Sequence, residues 1–311
     1  MRHVQKPTAS DMDRARVAVR QHLATTPLLP ISRYEWLKLD SQQPSGAFKV
    51  RGAIAALSRL PRGTNVVTAS AGNHGIGVAW AADTLGHRAT IVVPENASPR
   101  KLAVLEEMGA SVIRHGTTFD EAEAHAVMLA ESGLTYVSAY NDPHVIAGQA
   151  TVLDELADRI EGNFTIFVPV GGGGLAAGMA IRADMIKDRA IRVIGVETES
   201  SLAVSTAMRA GKTVEIEIAP SLADGLAGNL EGGAITAEIL RERGVEMISV
   251  SEKQIEAAIR TLYLRHDLRA EGAAAVSFAA MKAYPVDGDM VAIISGRNID
   301  EKLLKDIVGK R

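Results

Sequence analysis

Between residues 65 and 210 the chain repeats one unit, a short β-branched run followed by an Ala-rich stretch with helical spacing, and this alternation leaves few folds open. Val66-Val67-Thr68 precedes a helix predicted over about 73–85, a strand over 89–93 precedes a helix over 99–108, 111–114 precedes 118–132, and 134–138 precedes 145–160. Two further units follow, 165–170 with 175–187 and 192–197 with 202–210. Short runs of this kind, bounded by Ala-rich helices, are the pattern of strands covered on both faces. The expectation is an α/β fold with parallel sheets flanked by helices. A helix over 11–24, a short strand over 36–40 and a last strand over 290–294 before a closing helix complete the reading. Residues 211–233, with Gly225, Gly228, Gly232 and Gly233, form the one long irregular segment and a candidate functional loop.

A chain of 311 residues, 47% of them hydrophobic, has the apolar material for two domains. Its net charge of −3 is spread without a basic tract, so no nucleic-acid partner is expected. There is no cysteine, which removes disulfides, thiolate metal ligands and a cysteine nucleophile. Arg2, His3 and Lys6 run into Asp11-Met12-Asp13 with no apolar segment that would make a signal peptide, and no run approaches the ~20 apolar residues of a membrane span. A soluble cytoplasmic protein is expected.

The chemistry starts at Ser45-Gly46-Ala47-Phe48-Lys49, where a Gly-punctuated loop turns into the apolar stretch Val50-Arg51-Gly52-Ala53. A lysine at such a junction can be desolvated beside an electropositive helix N-terminus. Both effects disfavour the ammonium and make the amine nucleophilic toward a carbonyl. An ordinary surface lysine opening a helix would look the same in isolation. Gly171, Gly172, Gly173 and Gly174 stand between a strand and a helix, where backbone N–H groups and the helix dipole favour an anion and no Cβ hinders a phosphate. No Gly-Lys-Ser/Thr follows, which excludes a P-loop. Ser70-Ala71-Gly72-Asn73-His74-Gly75 is a second strand-to-helix turn, suited to a carboxylate, with Asn73 as a neutral donor for a phenolate oxygen. His74 alone would equally be a packing or capping residue. A dinucleotide site competes. Gly171, Gly173 and Ala176 satisfy G-x-G-x-x-A and Glu197 ends the next strand, which would suit an NAD(P)-dependent oxidoreductase but leaves Lys49 without a use.

A reactive lysine, a phosphate cradle and a carboxylate-binding turn are together what pyridoxal 5′-phosphate needs to act on an amino acid. Here the chain resembles the fold-type II pyridoxal-phosphate enzymes, with their two-domain, tryptophan synthase β-like fold, and within them the threonine/serine dehydratase and serine racemase branch. The resemblance rests on 45–53, 70–75, Val145-Ile146-Ala147-Gly148-Gln149 and 171–175, and continues in order through Ala223-Asp224-Gly225, Glu271-Gly272-Ala273 and 295–298. It covers the chain from about residue 11 onward. It implies that Lys49 forms the Schiff base and later takes the Cα proton, that Phe48 packs near the ring, and that Asn73 bonds the ring hydroxyl oxygen. Gly171, Gly172, Gly173, Gly174 and Leu175 would hold the phosphate, and Ser295 would face the pyridine nitrogen. Ser70, Ala71, Gly72, Asn73 and His74 would receive the substrate carboxylate, with Ser70 counted among the catalytic residues beside Lys49. A hydroxyl at Ser295 has no reason to keep the ring nitrogen protonated, which favours prompt β-elimination over a long-lived carbanion.

The implied reaction is loss of water from a β-hydroxy amino acid such as L-threonine or L-serine, giving a 2-oxo acid and ammonia. Serine racemisation and dehydration of a hydroxyectoine-type breakdown product are alternatives within the family. The implied organisation is a small domain, 61–139, inserted into a large domain of 1–60 and 140–311, in a homodimer or other homo-oligomer. With the chain closing soon after 298, no regulatory domain is expected. The match departs at Arg297, where a second glycine is usual, at Ala150, which replaces a glycine, and at Ala47, where serine is common. Arg297 hints at an acidic or unusual substrate. Relatives with a divalent-metal site offer a glutamate, a backbone carbonyl and an aspartate; here Glu197 and the Ser201 carbonyl are available, but Ala203 takes the aspartate's place, and no metal is expected.

Overall fold

The computed structural model describes residues 4–309. Its strands are β1 Leu28–Pro30, β2 Glu35–Lys38, β3 Asn65–Ala69, β4 Arg88–Val93, β5 Ser111–Arg114, β6 Thr135–Tyr136, β7 Phe164–Pro169, β8 Ile191–Thr198, β9 Glu246–Val250 and β10 Asp289–Ile293. They build a six-stranded sheet in the order β1-β2-β10-β7-β8-β9 and a four-stranded sheet in the order β5-β4-β3-β6. The pairing of β1 with β2 is antiparallel and all the others are parallel. Every residue of β7 is buried, because helices cover both faces. Ile166 and Val168 enter one core with Ile146, Leu153 and Met179, while Phe167 enters the other with Val276 and Phe278.

The strand order explains where a site can form. From β7 the chain moves outward through β8 and β9, then returns to lay β10 on the other side of β7. In the smaller sheet it moves from β3 through β4 to β5 and returns to lay β6 on the other side of β3. Each reversal opens a crevice at the carboxyl ends of two adjacent parallel strands. The glycine run follows β7, Ser295 follows β10, the 70–75 turn follows β3 and the segment 137–139 follows β6.

The lysine helix, Lys49–Leu57, is set by close approach. A Cβ on Gly148 would lie 2.5 Å from the Arg51 carbonyl oxygen and 2.6 Å from Gly52 Cα, so this helix and Pro143–Ala157 cross backbone against backbone. That contact explains the glycine of the Val145–Gln149 stretch as a packing requirement.

Several expected elements differ. The strand expected over 134–138 is only Thr135–Tyr136, since it pairs with β3 alone at the sheet edge. The strand expected over 36–40 is Glu35–Lys38, followed by a 3₁₀ turn, Asp40–Gln42. The irregular 211–233 segment holds a 3₁₀ turn, Asp224–Leu226. Strands β1 and β9 and the helices Thr236–Glu242, Glu252–His266 and Gly272–Ala283 have no counterpart in the sequence reading.

Candidate active site

The loop that carries Lys49 is strapped to the end of β10. Phe48 N–H donates to the Ser295 carbonyl at 2.9 Å, Arg297 N–H to the Gly46 carbonyl at 2.9 Å, and Ala47 pairs with Gly296. Beneath the lysine turn lies a buried charge network. Arg51 grips Asp40 with Nε and Nη2 at 2.7 and 2.9 Å and Glu155 with Nη1 at 2.7 Å, and Lys38 pairs with Glu155 and donates to the Thr26 carbonyl at 2.7 Å. Two cations and two anions balance there out of water, and removing one partner of such a buried set costs about 3–5 kcal/mol. The turn presenting Lys49 is thereby anchored on two sides.

Lys49 Nζ donates to the Ala139 carbonyl at 2.7 Å, with the Phe48 ring centroid 5.2 Å away. Burial pushes its amine down to about 8. About a tenth of it is neutral at pH 7, where an ordinary lysine is neutral in about one part in 3,000. His74, 3% exposed, is held down to about 3 by burial and by the nearby Lys49 ammonium, so it is neutral. Its Nε2 lies 3.1 Å from the Val137 carbonyl and must carry the proton, leaving Nδ1 as a buried acceptor without a partner. Lys49 and His74 thus share the 137–139 segment as their seat.

Ser70 folds its own turn, with Oγ accepting the Gly72 N–H at 3.1 Å. Gly72 caps the helix Asn73–Leu85, and among the described residues no protein group accepts from the N–H of Ala71, Asn73 or His74. These are the donors an anion would use. Ala71 itself packs half-buried against the core beside β3.

The glycine run is equally donor-rich. Gly173 has φ +82° and caps the helix Gly174–Met185, and no described protein group accepts from the N–H of Gly171, Gly172, Gly173, Gly174 or Leu175. A Cβ on Gly172 would fall 2.3 Å from the Tyr140 ring and one on Gly171 3.0 Å from Leu226 Cα, so these two positions leave no room for a side chain. Thr236 Oγ1, fully buried and without a partner, lies against Gly173. A cradle of free N–H groups at a helix N-terminus, with a lysine amine one residue's contact away through Ala139 and Tyr140, fits pyridoxal phosphate. Leu175 is 3% exposed and its side chain belongs to the core, so only its N–H is available. Ser295 is buried at the end of β10, next to Phe48.

Three further side chains, Glu271, Asn298 and Tyr140, join the site. Asn73 Nδ2 donates to Glu271 Oε1 at 2.6 Å, and Asn298 Nδ2 donates to Asn73 Oδ1 at 2.7 Å. Burial pushes the Glu271 carboxyl up to about 7. Tyr140 packs on the glycine run, and its hydroxyl accepts the Glu231 N–H at 2.7 Å. In the sequence, Glu271 and Asn298 are marked only by standing within 271–273 and 295–298, which carry the family resemblance.

Glu197 does not serve a nucleotide ribose. It is 2% exposed, and Oε1 accepts the N–H of Val204 at 2.8 Å and of Ser205 at 3.3 Å, capping the helix Ala203–Ala210. Burial raises its pKa. Ala203, at the start of that helix, offers no side-chain ligand. Arg297 is exposed, with its backbone N–H on Gly46.

Comparison with known proteins agrees with this geometry. The chain is 41% identical over 281 residues to an L-threonine ammonia-lyase from Thermotoga maritima, covering 88% of this chain and 70% of that protein. It superposes with a TM-score of 0.89 on the processed form of threonine deaminase isoform 2 from Solanum lycopersicum, at 32% identity over 98% of this chain and 96% of the other. Maize serine racemase superposes with a TM-score of 0.89 at 27% identity, over 97% of both chains. The model of the pyridoxal-phosphate dependent enzyme family matches residues 19–296, and the chain belongs to that family.

Proposed function

We propose that the protein is a pyridoxal 5′-phosphate dependent ammonia-lyase that removes water from a β-hydroxy amino acid such as L-threonine or L-serine. The observation that carries the reading is the meeting, in one crevice, of a desolvated lysine amine with two helix N-termini at which the N–H groups of Ala71, Asn73 and His74 and of Gly171 to Leu175 have no protein acceptor among the described residues. One N-terminus suits a phosphate and the other a carboxylate. The expected division into 61–139 and the rest is supported by the four-stranded sheet, whose strands all fall between Asn65 and Tyr136.

Pyridoxal phosphate, when bound, supplies an electron sink conjugated to the substrate Cα, which makes the Cα–H bond acidic. Gly171, Gly172, Gly173 and Gly174 would hold its phosphate, Asn73 its ring oxygen, Ser295 its ring nitrogen and Phe48 its face, with Lys49 holding the carbonyl carbon. The turn at Ser70, Ala71, Gly72, Asn73 and His74 receives the substrate carboxylate and so fixes Cα relative to Lys49. The Lys49 amine, when free, would take the Cα proton. Its depressed pKa keeps a useful fraction neutral at physiological pH. The proton taken from Cα would then pass from Lys49 to the departing β-hydroxyl, which leaves as water, and the enamine set free tautomerises to an imine that water splits into a 2-oxo acid and ammonia.

Serine racemisation is less well supported, because Ala71 in the carboxylate turn carries a methyl group and has no proton to deliver to the second face of Cα. The test is a panel of β-hydroxy amino acids assayed for 2-oxo acid and ammonia, alongside the violet absorbance of the purified protein before and after borohydride. Absorbance that vanishes on reduction, with turnover of threonine or serine, is the expected result. No turnover of any member of the panel by cofactor-loaded protein would overturn the reading.

A further inference from the structure

The amide of Asn73 has one orientation open to it. Its Oδ1 accepts from Asn298 Nδ2 at 2.7 Å and its Nδ2 donates to Glu271 Oε1 at 2.6 Å. Exchanging the two ends would set the Asn73 donor against the Asn298 donor whatever the charge on Glu271, and carbonyl against carboxylate whenever Glu271 is ionised. One Nδ2–H is spent on Glu271, and the second has no protein acceptor among the described residues. Both partners are themselves tied down. Asn298 Nδ2 also donates to the Ser45 carbonyl at 3.2 Å, and Glu271 N–H donates to the Gly296 carbonyl at 3.1 Å.

The backbone makes room for this arrangement. A Cβ on Gly296 would fall 2.1 Å from Glu271 Oε1, and one on Gly46, at φ +77°, would fall 2.5 Å from Asn298 Oδ1. The bonds also cross the crevice. Asn73 stands at the end of β3 in the smaller sheet, whereas Glu271 and Asn298 stand beside β10 of the larger one. Asn298 is exposed, and Glu271 is half-buried as a residue with its carboxyl held away from water.

We propose that Glu271 and Asn298 are positioning residues that lock the Asn73 amide, so that its second N–H is kept for the ring oxygen of pyridoxal phosphate; this rests on the functional reading above. A flipped amide would present its own oxygen to that ring oxygen, replacing a hydrogen bond with repulsion.

The test uses the full-length chain, freed of cofactor and titrated with pyridoxal 5′-phosphate and with 3-deoxypyridoxal 5′-phosphate, which lacks the ring oxygen. Glu271→Ala and Asn298→Asp should each weaken binding of the natural cofactor about tenfold, the worth of one good hydrogen bond, and leave the deoxy analogue within about twofold. Glu271→Gln keeps a carbonyl acceptor and should recover most of the loss. The visible absorption maximum of the bound natural cofactor should shift in Glu271→Ala and stay near the wild-type position in Glu271→Gln. Equal weakening toward both compounds, or no weakening toward either, would overturn the positioning role while leaving the functional reading standing. A wild-type chain that binds neither compound would overturn both.

Discussion

Replacing Lys49 with methionine should give a protein that is inactive yet, without cofactor, more stable than wild type at neutral pH. Burial holds the Lys49 amine at about 8, against an ordinary value of 10.5. Between those two values the unfolded chain keeps a proton that the folded chain has released, so the wild-type contribution from this group rises with pH across that window and is at its least favourable below 8. At ~1.4 kcal/mol per pH unit the span is worth about 3 kcal/mol. Methionine fills similar volume without the charge and removes that penalty. It also leaves the Ala139 carbonyl, now 2.7 Å from Nζ, without its donor, which costs about 1 kcal/mol. The net gain expected at pH 7 is about 2 kcal/mol, shrinking through pH 8–10.5 and changing sign at the top of that range. Urea unfolding of both cofactor-free proteins at pH 7, 9 and 10.5 measures it, and other titrating groups cancel in the difference. Parallel stability curves would refute the reasoning, because they would mean that the amine is not desolvated in the folded protein.

Gly173→Asp should cost about 1–2 kcal/mol of folding stability, since Gly173 has φ +82°, and should weaken pyridoxal phosphate binding by far more, because a carboxylate would face the phosphate. Unchanged affinity in a cofactor titration would place the phosphate elsewhere. Wild type should convert L-serine to pyruvate with little D-serine, and Ala71→Ser should introduce D-serine detectable by chiral chromatography; D-serine from wild type at a rate comparable to pyruvate would show that another acid serves the second face. Because Ala203 supplies no second carboxylate beside Glu197, EDTA or added Mg²⁺ should leave the melting temperature unmoved, and Glu197→Ala, which removes the acceptor of the Val204 and Ser205 N–H groups, should cost about 1–2 kcal/mol as a lost cap. A melting temperature that climbs with Mg²⁺ concentration would contradict this.

The parts of this protein readable in one dimension are those with a local physical cause. Apolar runs such as 164–169 and Ala-rich helical spacing reveal a parallel α/β fold because burial on both faces leaves its period in the residues themselves. A lysine at a loop–helix junction, four adjacent glycines and the Ser70–His74 turn are likewise legible, since each motif's chemistry depends on neighbouring residues. Ser251 and Gln254 carry the same kind of local signal, a capping box opening Glu252–His266. What no local pattern carries is which loops meet. The two reversals of strand order bring the ends of β3, β6, β7 and β10 together, and only that long-range arrangement seats Lys49 on Ala139 and sets Asn298 and Glu271 on either end of the Asn73 amide. Glu197 makes the point most sharply: by spacing it suits a ribose or a metal ion, and the tertiary structure gives its carboxylate to a helix N-terminus, because a buried charge is bound by whichever donors folding brings within reach.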